Sequence, residues 1–169
     1  MEYPRRNEVS TMTIAATLSQ YLNDQSVDYH LIQHPHTRTS RESARAAHVR
    51  EDQVAKAILL QDIEGYVMAV IPASSSLDMR SLHNETGRNS LQMVSETELG
   101  AIFPDCELGA LPALGQAYGI TTLLDASLGH RETIYFEAGD HEELVEMSGA
   151  QFAKLFAGSR SCDLSRDWP

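Results

Sequence analysis

Residues 54 to 72, VAKAILLQDIEGYVMAVIP, constrain the fold more than any other stretch of the chain. Val54 to Leu60 is apolar at every position but one, and Tyr66 to Ile71 is a second apolar run. Between them, Asp62 to Gly65 supplies turn-forming residues. Two apolar runs of strand length around a short turn predict a β-hairpin over 54–72. At 169 residues the chain is long enough for one domain with a proper core.

The rest of the chain interleaves helical and strand patterns. Ile14, Ala15, Leu18, Tyr21 and Leu22 recur at helical spacing and predict a helix over 12–24, after a loose polar segment over 1–10. Val27, Tyr29 and Leu31 alternate with Asp28 and His30, which predicts a strand that HPHT at 34–37 ends. Thr39-Ser40-Arg41-Glu42 has the form of a capping box, opening a helix to about His48. A short helix over 77–83 with Asp78 near its N-cap, a strand over 91–94 and a helix from Ser95 to Ile102 follow. Strands are predicted over 120–124, 133–136 and 144–147, then a helix over 150–156 capped by Ser148. The tail from Gly158 carries little pattern. About seven strands and four or five helices, with no repeat and no long linker, predict a single mixed α+β domain.

Lys56 breaks the apolar pattern of the first hairpin strand. Alternate side chains of a strand share a face, so Lys56 points with Val54, Ile58 and Leu60. An ammonium on an apolar face is costly unless it is paired or reaches a cavity. Two readings fit: a lysine that snorkels from a sheet edge to water, or one aimed into a pocket that holds an anion or a polarised carbonyl.

The stretch FPDCELGALPALG, residues 103 to 115, poses a second question. Asp105, Cys106 and Glu107 stand directly before a Gly/Ala/Pro bend. It admits a cysteine nucleophile, a metal site with His34, His36 or His141, or a backbone cradle for a substrate carbonyl. Against the first stands the absence of a recognisable cysteine-enzyme motif; against the second, the rarity of metal sites on a loop His-x-His beside proline. With only Cys106 and Cys162, a disulfide framework is not expected.

Charge narrows the partners. The formal net charge of −11 opposes broad binding to DNA or any phosphate backbone. Against that background, His36 to Arg50 holds four arginines and one acid. Arg41 and Arg45 share a helix face, with Arg38 and Arg50 just outside its ends. This is either a solvated face or a small phosphate-docking patch. No apolar run approaches the ~20 residues of a membrane span, and MEYPRRNEVS lacks the apolar core of a signal peptide. No membrane partner and a reducing, cytoplasmic location are the expectations.

The order of these features resembles the YbaK/EbsC-like family of aminoacyl-tRNA deacylases. The resemblance is carried by His34-Pro35, the Thr-led alanine-rich helix, Val54-Ala55-Lys56-Ala57, Val70-Ile71-Pro72, Gly109-Ala110-Leu111-Pro112 and Ala138-Gly139-Asp140-His141, from about 26 to 156. The same domain occurs as the editing insertion of bacterial prolyl-tRNA synthetases. The resemblance implies an α+β domain with a mixed, barrel-like sheet surrounded by helices. It also implies an N-terminal segment and helix over 1–25, the editing domain over 26–156 and a tail over 157–169.

The family's activity would be hydrolysis, in trans, of the ester of a mischarged amino acid, commonly on tRNA for proline. Its lysine corresponds to Lys56 and its Gly-x-x-x-Pro loop to Gly109 to Ala113, where this chain has alanine at 113 and its proline one place earlier, at Pro112. On that basis Lys56 and Gly109 are the catalytic candidates. Ala110, Leu111, Pro112, Glu137, Asp140 and His141 are substrate-binding candidates, and Arg38, Arg41 and Arg45 would meet the acceptor end of the tRNA. The cradle would use N–H groups around Gly109 and Ala110. No metal or cofactor is expected, and a synthetase is a further expected partner. The alternatives are a non-catalytic tRNA- or synthetase-binding module of the same fold and, more weakly, a thiol- or metal-dependent hydrolase.

Overall fold

A computed structural model describes residues 14–167. The expected loose segment over 1–10 and the first residues of the expected 12–24 helix lie outside them. Helix α1 (Ala16–Asp24) buries Leu18 and Leu22. Strand β1 (His30–Gln33) follows, then α2 (Ser40–Ala46). The central strands are β2 (Val54–Asp62) and β3 (Gly65–Pro72), which form the predicted hairpin, with Asp62 opposite Gly65 across the turn. Next come β4 (Ser75–Leu77), α3 (Met79–Thr86), β5 (Gln92–Met93) and α4 (Glu96–Ile102). The chain closes with β6 (Thr121–Asp125), β7 (Thr133–Glu137), β8 (Glu143–Ser148), α5 (Gly149–Leu155), β9 (Ser161–Cys162) and β10 (Ser165–Asp167).

Caps set the helix starts as the sequence predicts. Thr39, Ser95 and Ser148 each accept a hydrogen bond from the backbone N–H three residues on, and Asp78 accepts from Arg80 and Ser81. At α2 the return bond of the capping box lands one residue early: Glu42 accepts from the Arg38 N–H, not from that of Thr39.

The main sheet has eight strands in the order β1-β8-β7-β2-β3-β6-β9, with β5 added to β2. It is mixed: β2–β7, β3–β6 and β6–β9 are parallel, and the other pairs antiparallel. Odd-numbered side chains of β2, Ala55 and Leu59, join the larger core with α1, α5, Phe103 and Phe136. On the other face, Ile58 and Leu60 join Leu82 of α3, Cys162 and Leu164, while Val54 packs with Ala44 of α2. Lys56 stands between these two clusters.

Two expectations are corrected. The first strand begins at His30, not at Val27: Val27 is buried in the turn after α1, where its N–H meets the Leu22 carbonyl. Its alternation with Tyr29 and Leu31 reports turn packing as much as a strand. The tail is also not featureless. Ser161–Cys162 pairs with β6, and Ser165–Asp167 pairs with β4, so the tail adds two short strands, and β4 itself is a third, that no local pattern marks.

Candidate functional site

The site is built around a break in the pairing of β2. On one edge β2 pairs with β3 along its length. On the other it pairs with β7 at Val54 and Ala55, and with β5 at Leu60 and Gln61. Between these lies a cleft with two lobes of about 150 Å³ each, which share Lys56, Ala57, Gly109 and Leu111. The polar lobe adds Arg38, Thr39 and Ser40 at the start of α2. The apolar lobe adds Ile58, Leu59, Met93, Val94 and Leu99. Of the two catalytic candidates, separated by more than fifty residues in sequence, both line this one cleft. Burial holds the Lys56 ammonium below the ordinary lysine range, and the neighbouring Arg41 charge lowers it further.

The 103–115 stretch divides into two halves with different work. In the first, Asp105 accepts from the Thr17 N–H at 3.0 Å and from the Tyr118 hydroxyl at 3.1 Å, tying the loop to α1. Cys106 lies 3.4 Å from the Tyr118 hydroxyl, and burial pushes its thiol up to about 12. A thiol held that far up is not a thiolate nucleophile at neutral pH. Glu107 pairs with His36 at 3.0 Å on the surface, and the His34 ring Nδ1 donates to the Pro35 carbonyl at 2.8 Å. Among the described residues, no group of three or more His, Cys, Asp or Glu side chains is placed to hold a metal ion.

The second half faces the cleft. Gly109 has φ +80°, and a Cβ there would lie 2.8 Å from the Arg38 carbonyl oxygen and 3.2 Å from Nε2 of His141. Only glycine fits this left-handed, crowded position. The expected donor pair is corrected in part: the Ala110 N–H donates to the Glu107 carbonyl at 3.1 Å, closing the turn, and the Ala110 side chain is fully buried. Among the described residues, nothing accepts from the N–H groups of Gly109 and Leu111. Pro112 and Ala113 are buried behind the loop.

Glu137 and His141 do not line the cleft; they stand behind its loop, 1 % and 3 % exposed. His141, itself at φ +59°, donates from Nε2–H to the Leu108 carbonyl at 2.6 Å. Its Nδ1 lies 4.0 Å from Oε1 of Glu137. That oxygen accepts from the Ser43 hydroxyl of α2 at 2.7 Å, and Ser43 meets the Thr37 hydroxyl at 2.6 Å. Burial pushes the Glu137 carboxyl up to about 8, with the Asp140 charge adding to the rise and the Ser43 bond opposing it. Asp140 accepts from the N–H groups of Glu142 and Glu143 at 2.9 and 3.0 Å and so shapes the turn. Sequence reasoning missed Ser43 and Thr37, which look like ordinary helix-start residues until β7 is set beside them.

Of the three arginines, one lines the cleft. Arg38 lines the polar lobe, while Arg41 and Arg45 both reach Glu51, at 3.1 and 3.0 Å. A wider depression of about 800 Å³, around Arg50, Asp52, Asp125, Arg131 and Arg166, contains neither Lys56 nor Gly109. Asp52 there is already taken by Arg50 and Arg131.

Comparison with known proteins gives the family and the fold. The family model described as aminoacyl-tRNA editing domain, of YbaK type, matches residues 34–155. The crystal structure of hypothetical protein APE2540 superposes with a TM-score of 0.78 at 21 % identity, over 89 % of this chain and 99 % of that one. A candidate trans-editing enzyme for prolyl tRNA synthetase superposes equally well, at 0.78 and 19 % identity, over 90 % and 96 %. A candidate signal transduction protein from Marinobacter aquaeolei VT8 matches at 0.73 and 22 % identity, over 89 % of this chain and 30 % of that one. At these identities the structural likeness is one of fold.

Proposed function

Because the chain belongs to the aminoacyl-tRNA editing domain family, we propose that it is a trans-acting deacylase for mischarged aminoacyl-tRNA, clearing a small amino acid from the tRNA for proline. The observation that carries this reading is the cleft in which Lys56 and the Gly109 loop line the same space. In this reaction a water oxygen attacks the ester carbon. The bond from that carbon to the ribose oxygen breaks, the ribose oxygen takes a proton, and the free amino acid leaves. The Gly109 N–H meets the carbonyl oxygen as it becomes an oxyanion; one such donor is worth about 3 kcal/mol. Lys56 holds the terminal phosphate or the carbonyl oxygen, and the ribose hydroxyl beside the ester helps to place the water. An aminoacyl ester is already activated, so positioning supplies much of the remaining rate.

The lobes divide the substrate between them. The apolar lobe, with Leu59, Val94 and Leu99, takes the amino-acid side chain, and its small volume supports a small one. One methylene in such a pocket discriminates by only about 1–3 kcal/mol. The polar lobe takes the terminal nucleotide. Arg38, Arg41 and Arg45 meet the acceptor stem, with phosphate replacing Glu51 on Arg41 and Arg45. An aminoacyl-tRNA synthetase is the natural source of the substrate. Leu111 lines the cleft, while Ala110, Pro112, Glu137, Asp140 and His141 support the loop instead of touching the substrate.

The test is deacylation of alanine, serine and cysteine esters on the tRNA for proline, with the correctly charged tRNA as control. Wild type clears one mischarged ester and Lys56→Ala does not. Retained tRNA binding with no cleavage of any ester would replace the deacylase with a binding module.

A further inference from the structure

The direction of the backbone in β2 can be read from two hydrogen bonds. The Ala73 N–H donates to the Val54 carbonyl at 2.8 Å, so Val54 turns its main-chain groups toward β3. The Val94 N–H donates to the Leu59 carbonyl at 3.1 Å, so Leu59 turns its groups toward the opposite edge. N–H and C=O directions alternate along a strand. Residues 54, 56, 58 and 60 therefore face β3, and 55, 57, 59 and 61 face the other edge. Pro72 agrees with this parity: it stands opposite Ala55, where no N–H toward β2 is needed.

On that other edge Ala55 is taken by β7 and Gln61 by β5. Among the described residues, no strand is registered against positions 56–59 there. Ala57 thus presents both its N–H and its C=O to the gap between β7 and β5. The gap is the cleft itself, since Lys56, Ala57, Ile58 and Leu59 are its β2 wall, and Gly109 and Leu111 stand with them. A donor and an acceptor side by side on an extended residue call for a ligand with an acceptor and a donor at the same spacing. An α-aminoacyl ester carries that pair on adjacent carbons, a carbonyl oxygen and an α-ammonium. The adjoining lobe, at about 150 Å³ and lined by Leu59, Val94 and Leu99, suits an aliphatic side chain better than a purine ring.

We propose that the backbone of Ala57 binds the α-aminoacyl group of the substrate, its C=O accepting from the α-ammonium and its N–H donating to the ester carbonyl. The substrate then continues the sheet for one residue between β7 and β5. The ester carbonyl meets an N–H from β2 as well as that of Gly109. Recognition of this kind reads any α-amino acid and leaves the choice among amino acids to the apolar lobe. The proposal rests on the deacylase reading above.

The test compares three acyl groups on one tRNA: the aminoacyl ester that wild type clears fastest, its N-acetyl derivative, and the matching α-hydroxy acid ester. Loss of a charge-assisted hydrogen bond predicts a fall in kcat/KM of about 100-fold on N-acetylation and about 10-fold for the smaller, uncharged hydroxyl. Unchanged kcat/KM for both analogues overturns the proposal and leaves the deacylase reading standing. Cleavage of no ester at all overturns both. An unchanged rate on N-acetylation with a loss on replacing the terminal adenosine by purine riboside assigns the edge to the base and also overturns it. A second arm uses Ala57→Pro, which removes the N–H on the open edge and spares the β3 ladder, while the ring also fixes φ at 57 and restricts the backbone of Lys56. If Ala57→Pro melts like wild type, its kcat/KM falls about 100-fold; a folded Ala57→Pro of wild-type kcat/KM overturns the proposal.

Discussion

His141 donates from Nε2 to the carbonyl oxygen of Leu108 at 2.6 Å, and so holds the peptide that leads into Gly109. A carbonyl only accepts, so the proton is on Nε2 and, in the neutral ring, Nδ1 is bare. This bond fixes the direction of the cradle without touching the substrate. Replacing His141 by Phe keeps a ring of similar size and leaves the Leu108 carbonyl without its donor. Leaving such a partly buried acceptor unmet costs up to about 1–3 kcal/mol. His141→Phe is expected to lower both Tm and kcat, while KM changes little; steady-state kinetics beside a thermal melt check it.

Glu137 predicts an unusual dependence of stability on pH. Its carboxyl is raised from 4.5 to about 8 by burial. Between these values the folded state keeps a proton that the unfolded state has lost. Stability from this group is therefore complete below pH 4.5, declines as pH rises through the window, and is gone above about 8. Glu137→Gln keeps an oxygen for the Ser43 hydroxyl and cannot ionise. The Tm of Glu137→Gln relative to wild type should rise steadily from pH 5 to pH 8; a constant difference would remove the assignment.

Lys56 should separate activity from stability. Its ammonium is half-buried and lies near the Arg41 charge, so the site disfavours the charged form. Lys56→Ala relieves both costs. The expected result is loss of deacylation with little change in Tm. Because the ammonium is held below the ordinary range, activity should also fall at a lower alkaline pH than a free lysine would give, which a pH–rate profile reads.

Gly109→Ala places a Cβ 2.8 Å from the Arg38 carbonyl oxygen at φ +80°. The left-handed conformation alone costs a non-glycine residue about 1–2 kcal/mol, and the contact adds to it. The loop must shift, so kcat/KM should fall by at least about tenfold with a lowered Tm. Gly119, at φ +70° with open space around it, is the matched control: Gly119→Ala should lower Tm and leave deacylation intact.

Cys106 offers the cheapest discrimination. With its thiol raised to about 12, iodoacetamide at neutral pH should leave deacylation unchanged, as should a chelator. Cys106→Ala should keep the rate within about threefold, because the residue meets Tyr118 and is not among those lining the cleft. Inactivation by alkylation would reinstate the thiol hydrolase.

Much of the fold was legible because its signals are local. The hairpin over 54–72 and the caps Thr39, Asp78, Ser95 and Ser148 each rest on residues within one element. The tail was not legible, because strands of two or three residues such as Ser161–Cys162 exist only through their partners. Within the site, Lys56 stood out as a charge in an apolar run. Glu137 and His141 were noticed but misplaced, since no periodicity tells whether a polar side chain enters a cleft or braces the loop that walls it.

The α+β class, the central hairpin, the lysine in it and the glycine loop are legible along the chain, because period, turn chemistry and a charge out of place are properties of neighbouring residues. Only the packed chain shows that, among the described residues, one edge of β2 carries no strand between β7 and β5, that Gly109 lines the cleft opened there, and that Ser43, Glu137 and His141 meet behind the loop. Those are contacts across 30 to 100 residues of chain, and their geometry follows from how the sheet edges and packed faces close against one another, which no local pattern carries.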